Sequence, residues 1–229
     1  MDDTATDVDA AIATLPVVDE DEPQKRPARK VAKPGERKLQ ILQTLATMLE
    51  HPKGERITTA ALARKLDVSE AALYRHFASK AQMFEGLIGF IEETVFGLIN
   101  QITSSEEDGL KQARRIILML LNFAETNRGM TRVLIGDALV IEDERLTVRM
   151  NQMMDRIEAS LRQCLKVAAA HADASRDEPR DGPSIDRYVN ERANLIVAAV
   201  IGRWVRFAKS GFKKLPMEYA ETQAMLLLI

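Results

Sequence analysis

The chain has 229 residues, of which 46% are hydrophobic, and a formal net charge of −2. This length and apolar content suffice for one large or two small domains with a buried core. A single cysteine, Cys164, excludes a disulfide framework. The N-terminus lacks a basic segment followed by an apolar one, and no apolar run approaches the roughly 20 residues of a membrane span. We therefore expect a soluble, cytoplasmic protein.

Charge is unevenly distributed along the chain. Residues 1–22 carry eight acidic and no basic side chains, whereas residues 23–80 carry thirteen Lys and Arg against five Asp and Glu. A basic segment in a near-neutral chain is typical of proteins that bind phosphates. Residues 1–35 also contain four prolines and no hydrophobic periodicity, which predicts a disordered, acidic-then-basic tail. Its basic half is either a flexible arm along DNA or a solubilising tail.

Helix-forming residues dominate, and no segment alternates as a strand does, which predicts an all-α protein. The first helix begins near Glu36 and stops before Pro52, because the residue before a proline is pushed out of the helical conformation. Two short helices follow, over about 59–66 and 70–77, the second preceded by Ser69. The longer helices are predicted over 79–102, 109–126, 130–138, 142–170, 184–210 and 217–228. A polar, mobile loop is predicted over about 171–183.

The two short helices and the three-residue turn between them predict a helix-turn-helix. Thr58 or Thr59 can cap the first helix and Ser69 the second. Leu73 and Phe77, four residues apart, hold the second helix from behind. Its other face is then free to enter a major groove about 12 Å wide.

The run Val68-Ser-Glu-Ala-Ala-Leu-Tyr-Arg-His-Phe77, followed by Ser79-Lys80, resembles the DNA-binding domain of the TetR family. The resemblance implies a three-helix DNA-binding domain over 36–82 and a larger helical domain for dimerisation and partner binding over 83–229. The sequence differs from the family at Asp67, where glycine is common. Aspartate tolerates the left-handed backbone of such a turn, so the turn can still form.

Further segments resemble one branch of that family, the nucleoid occlusion factors. They include Thr131-Arg-Val-Leu and Arg156-Ile-Glu-Ala-Ser-Leu-Arg-Gln, and the similarity extends over most of residues 36–212. This resemblance implies a nucleoid-associated homodimer on dispersed palindromic DNA sites. It also implies a partner, the tubulin-like division protein FtsZ, whose ring the dimer keeps from assembling over the nucleoid. The partner surface would lie near Phe90 and Asn127.

Eight side chains are candidate DNA contacts. Lys80 is expected at a phosphate, Tyr74 and His76 resemble the family's backbone-contacting pair, and Arg75 reaches a phosphate or a guanine edge. Each also has a structural interpretation, as a surface charge or as part of the core. Thr59 and Ser69 combine capping with phosphate contact. The full set is Arg56, Thr59, Ser69, Ala71, Tyr74, Arg75, His76 and Lys80.

Two apolar patterns bear on dimerisation. The first is a stripe that fits either a coiled-coil seam or an amphipathic helix packed on its own core. The stripe consists of Leu146, Met150, Met153, Ile157, Leu161 and Cys164. The second pattern supplies a four-helix interface across a two-fold axis, as the TetR resemblance implies. It consists of Leu195, Ala199, Trp204 and Phe207.

No pattern indicates an enzyme, a metal or a cofactor. The three histidines are scattered, and no glycine-rich phosphate loop or nucleophile motif occurs. Two other functions remain open: a ligand-controlled TetR-type repressor and a helical adaptor whose basic segment is incidental. The repressor would need an apolar pocket, although the residues available for it equally fit a plain core. They are Met119, Phe123, Met130, Trp204 and Phe207.

Overall fold

A computed structural model describes residues 35–51, 57–140, 142–174 and 185–229. These residues form helices and no strand, which confirms the predicted all-α class. None of the helices they form is both long and apolar enough to cross a membrane. A 3₁₀ turn at Asp137–Leu139 precedes the seventh helix. The α-helices of the described residues are α1 (Glu36–Leu49), α2 (Thr59–Lys65), α3 (Glu70–Tyr74), α4 (Lys80–Ser105), α5 (Gly109–Thr126), α6 (Arg128–Leu134), α7 (Glu144–Ala174), α8 (Ile185–Lys209) and α9 (Ala220–Leu228).

The helix bounds differ from the predicted ones mainly at helix ends. α3 ends at Tyr74 rather than 77, yet the amide of Phe77 still donates to the carbonyl of Leu73 at 3.1 Å. The helical hydrogen-bond pattern of α3 thus continues to Phe77, as is common at frayed helix ends. α7 runs to Ala174, so the first four residues of the loop predicted at 171–183 are helical. Residues 175–183, the tail at 1–34 and the candidate Arg56 lie outside the described residues.

The N-terminal helices bury their apolar residues at one end of a core that continues into the rest of the described chain. Ile41 and Leu45 of α1, Leu62 of α2 and Leu73 of α3 are each 1% exposed. Phe77 closes this core beneath α3, with 8% of its surface exposed. The i, i+4 spacing of these residues on α1 and around α3 produces the inward apolar face, as the sequence predicted.

α6 meets α1 through a very close backbone contact. A Cβ atom on Gly129 would lie 1.9 Å from the carbonyl oxygen of Ala46 in α1, so only glycine fits there. Arg132, one turn later, donates to the carbonyls of Leu49 and His51 at 3.2 Å each. The Arg132 guanidinium therefore satisfies carbonyls at the end of α1 that have no partner within the helix.

The C-terminal domain buries the first of the two apolar patterns that the sequence connected with dimerisation, and two of the four residues of the second. Every residue of the α7 stripe is at most 3% exposed within one chain, so the coiled-coil interpretation is wrong and the core interpretation is confirmed. Trp204 and Phe207 are also buried, and the indole Nε1 of Trp204 donates to the carbonyl of Leu120 at 3.2 Å. These two cannot supply a dimer interface. The same core contains Met119, Phe123 and Met130, which a ligand pocket would have needed as its lining. Their burial favours the plain-core interpretation of these residues.

The close contact at Gly129 predicts a large effect of a small substitution. Gly129→Ala should lower the free energy of unfolding by about 1–3 kcal/mol, because an added methyl group must push α6 away from α1. Gly97→Ala in α4 is the matched control, since nothing lies within 4 Å of an added Cβ there and alanine favours a helix. Urea unfolding compares the two; equal midpoints would contradict the contact.

Candidate nucleic-acid interface

Local hydrogen bonds and one strained residue shape the helix-turn-helix. The hydroxyl of Ser69 caps α3 by accepting from the amide of Ala72 at 3.3 Å, as predicted. The hydroxyl of Thr58 caps α2 by accepting from the amide of Ala61 at 3.1 Å. Asp67 has a φ of 54°, which confirms that the turn passes through the left-handed region. The sharp reversal at Asp67 sets α3 across α2.

Thr59 has a different role from the one predicted. The cap of α2 is Thr58, and Thr59 is the first helical residue, so the expectation that Thr59 caps this helix is wrong. The Thr59 hydroxyl donates instead to the carboxylate of Glu70 at 2.6 Å, which ties the start of α2 to the start of α3. The sequence could not choose between two adjacent threonines, since both have the side chain that a cap needs.

The outer face of α3 is open to solvent. Ala71 and Arg75 are exposed, Tyr74 is 45% exposed, and His76 is half-buried at the edge. Within the described part of the chain, Arg75 has no carboxylate partner, so its guanidinium is free to bind a phosphate or a base edge. The face therefore has the shape and the donors that a recognition helix needs.

Arg64 is a further cation at this face, one that the sequence analysis missed. It is exposed at the end of α2 and lines an open groove together with Asp67 and Ser69. The only signal in the sequence was the overall excess of Lys and Arg over residues 23–80. That excess cannot distinguish a groove-lining arginine from any other surface cation.

Lys80 is engaged elsewhere in the molecule. Its ammonium forms an ion pair with the carboxylate of Glu142, and the two side chains are only 22% and 11% exposed. The same ammonium lies 5.6 Å from the centroid of the Phe84 ring, within the range of a cation–π contact. Lys80 thus links the start of α4 to the segment before α7. A phosphate can bind this ammonium only by replacing or sharing Glu142.

The two candidate partner residues occupy separate structural positions. Phe90 is a half-buried residue of α4 that packs against the main core. Asn127 lies between α5 and α6, and its side-chain amide donates to the carbonyl of Phe123 at 2.9 Å and to the hydroxyl of Thr126 at 3.0 Å. Asn127 therefore helps to end α5, whatever else its exposed atoms contact.

Reactive chemistry has little support among the described residues. Burial raises the pKa of the Cys164 thiol to about 11, so this thiol is protonated and a poor nucleophile near neutral pH. No group of three or more His, Cys, Asp or Glu side chains in the described ranges is arranged to hold a metal ion. The interface described above remains the best-defined site.

Comparisons with known proteins place this site in a family. A model of the tetR family of bacterial regulatory proteins matches residues 54–87, and a model of a tetracyclin repressor-like C-terminal domain, of the SlmA-like type, matches residues 107–229. The nucleoid occlusion factor SlmA of Alteromonas mediterranea is 46% identical over 82% of this chain and 91% of its own length. That of Vibrio cholerae is 49% identical over 79% of this chain and 88% of its own length. The chain belongs to the SlmA family of nucleoid occlusion factors.

Solved structures confirm the TetR-like fold for this SlmA-family chain. A TetR-family regulator from Bordetella parapertussis superposes with a TM-score of 0.62 at 16% identity, covering 85% of this chain and 95% of that one. The fatty acid degradation regulator FadR of Bacillus halodurans superposes with a TM-score of 0.65 at 14% identity, covering 86% and 97%. At such identities the likeness concerns the fold alone. The SlmA assignment rests on the curated relatives.

A substitution at Glu142 can separate the structural role of Lys80 from a contact between Lys80 and DNA. Glu142→Gln should lower the free energy of unfolding by about 1–3 kcal/mol, because a half-buried ammonium loses its charged partner. Affinity for duplex DNA should stay the same or rise, since the variant releases the ammonium. Urea unfolding and duplex titration measure the two effects. Glu93→Gln, at an exposed carboxylate in the middle of α4, is the control and should change neither. An equal loss of stability in both variants would argue against the ion pair.

Proposed function

We propose that this SlmA-family chain acts as a homodimer on palindromic sites in double-stranded DNA. Bound there, it inhibits assembly of the FtsZ ring over the nucleoid and so regulates cell division negatively. The observation that carries the proposal is the open face of α3, on a chain 46–49% identical to curated nucleoid occlusion factors. The proposed action is binding, with no catalytic step, in the cytoplasm at the nucleoid.

The DNA contacts are assigned to α3 and its borders. Ala71 and Arg75 form the part that enters the major groove, and Tyr74 contacts the DNA backbone beside it, supported by the exposure of all three. The amides at the start of α3, next to Ser69, and the half-buried His76 serve the phosphates. The Thr59 hydroxyl has one proton, which it donates to Glu70, so it can donate to a phosphate oxygen only by giving up that carboxylate.

Lys80 and Arg56 complete the assignment with weaker support. Lys80 would meet a phosphate at the start of α4 by sharing its ammonium with Glu142. Because that ammonium is already half-buried and paired, its contribution to affinity should be smaller than that of Arg75. Arg56 is proposed from the sequence alone, as it lies outside the described residues.

The outer strip of α8 is proposed as the dimer face. Of the residues proposed from the sequence, Leu195 is 57% exposed, whereas Ala199 is half-buried. Ala198 is exposed, and a Cβ on Gly202 would meet nothing within 4 Å. One leucine followed by small residues on one helix face lets a second helix approach closely. Two copies related by a two-fold axis can then present two α3 helices to successive major grooves, about 34 Å apart.

FtsZ is the proposed partner, and Phe90 with Asn127 is the proposed contact region. Support comes from the family membership and from the place of both residues outside the helix-turn-helix, on α4 and between α5 and α6. The alternative of a ligand-controlled repressor gains no support, because the residues that would line its pocket are packed in the core.

The dimer face can be tested by placing a charge on it. Leu195→Glu should convert the dimer to monomers, since two buried carboxylates would have to face each other across the axis. Sedimentation velocity measures the change, and affinity for a palindromic duplex should fall with it. Leu110→Glu, at a 42% exposed leucine of α5, is the matched control and should remain dimeric. A dimeric Leu195→Glu variant would place the interface elsewhere.

The function itself is tested with purified FtsZ polymers assembled with GTP. The protein with a saturating palindromic duplex, chosen by mapping its sites on the chromosome, should reduce the polymer recovered by sedimentation. The double variant Tyr74→Ala, Arg75→Ala should bind the duplex about tenfold more weakly, or worse, and lose this effect while its urea midpoint is unchanged. Lys111→Ala, at an exposed cation of α5, controls for the loss of charge.

Two outcomes would overturn separate parts of the proposal. Unchanged polymer at saturating duplex would remove FtsZ as the partner but leave DNA binding intact. Unchanged duplex affinity in the double variant would remove α3 as the recognition helix.

A further inference from the structure

A second basic site lies at the far end of α8, where the chain turns towards α9. Here a cavity of about 180 Å³ opens between α8, the turn at 213–219 and the start of α9. A water molecule takes up roughly 30 Å³ of liquid, so the cavity has room for a polyatomic anion. Its walls include Arg203, Arg206, Lys214, Leu215, Tyr219 and Gln223.

Arg203 builds the wall of this cavity. Its guanidinium donates to the carbonyl of Pro216 at 2.8 Å and also bonds the carbonyl of Glu218 and the side-chain oxygen of Gln223. Burial lowers the pKa of Arg203, and the positive charge of Arg206 lowers it further. Arg203 is therefore a positioning residue, whose donors are used by the turn and whose charge adds to the field in the cavity.

Arg206 and Lys214 supply positive charge that the protein does not neutralise. Within the described part of the chain, neither side chain has an ion-pair or hydrogen-bond partner. Glu218 is the one carboxylate among the lining residues, and its charge acts on Arg203. The carboxylate of Glu125, which accepts from the amide of Met217, also acts on Arg203. Three cations against these two carboxylates leave a net charge of about +1, which is carried by Arg206 and Lys214.

Neutral donors and an apolar surface complete the site. Gln223 uses its side-chain oxygen to accept from Arg203, which leaves its NH₂ group as a donor. Tyr219 is 71% exposed and has a φ of 61°, a left-handed backbone that is costly for a large residue and clusters at binding sites. Leu215 beside it is 42% exposed, so an apolar group can lie against both.

We propose that this cavity binds a small molecule that carries a phosphate monoester. Arg206 and Lys214 neutralise the phosphate, Gln223 donates to one of its oxygens, and the organic group lies against Leu215 and the Tyr219 ring. A phosphate monoester carries a charge of about −1.5 to −2 at neutral pH and three acceptor oxygens. It can therefore bind Arg206, Lys214 and Gln223 at the same time, one oxygen to each, whereas a carboxylate has only two oxygens. The site is separate from α3. Arg206 lies one turn beyond Gly202 on the strip of α8 proposed as the dimer face, so the site borders that face.

Isothermal titration of the full-length dimer tests the site, with inorganic phosphate and phenyl phosphate as probes at constant ionic strength. Both should bind saturably at neutral pH, with phenyl phosphate the tighter because of its ring. Arg206→Gln and Lys214→Gln should each weaken binding at least tenfold, and affinity should fall below about pH 6, where the phosphate takes up a proton. Lys213→Gln is the matched control, because Lys213 neighbours Lys214 but does not line the cavity.

Three results would overturn the proposal. The first is heat no greater than that of sodium chloride at the same ionic strength. The second is equal loss of binding in Lys213→Gln and Lys214→Gln. The third is a fall in duplex affinity in Arg206→Gln without any binding of phenyl phosphate to the wild type, which would identify the DNA backbone as the source of the phosphate. Unchanged urea midpoints exclude misfolding as the cause of lost binding.

Discussion

The contact between α1 and α6 determines how the DNA-binding domain is attached to the rest of the molecule. Gly129 lets two backbones approach to a distance that no side chain would permit, and Arg132 bonds the carbonyls at the end of α1. Both interactions involve backbone atoms, so they fix orientation more tightly than side-chain packing alone. The ion pair of Lys80 and Glu142 adds a second attachment. These contacts add to the packing of α4 against Phe77 and Leu42 in holding the helix-turn-helix.

Interactions between neighbours in sequence were the most predictable. The cap at Ser69, the left-handed turn at Asp67 and the buried pair Leu73 and Phe77 each follow from one residue type at one spacing. The all-α class follows from the same kind of local evidence. The sequence did not show which of Thr58 and Thr59 caps α2. The Thr59 hydroxyl bonds Glu70, whose position in three dimensions the sequence does not indicate.

Long-range partners were not predictable from the pattern. Glu142 lies 62 residues from Lys80, and nothing in either segment indicates that they meet. The stripe on α7 has the period of any amphipathic helix, so periodicity cannot say whether its partner is the same chain or a second one. Trp204 and Leu195 show the same ambiguity on α8: one is buried in its own core and the other faces solvent.

The burial of Trp204 has a practical consequence. It is the single tryptophan of the chain, it is 1% exposed, and its indole donates to the carbonyl of Leu120. Intrinsic fluorescence excited at the red edge of absorption therefore reports on the C-terminal core alone. Melting of the helix-turn-helix would be silent in that signal and visible by circular dichroism. The protein thus contains a natural probe that can tell whether its two halves unfold together or one after the other.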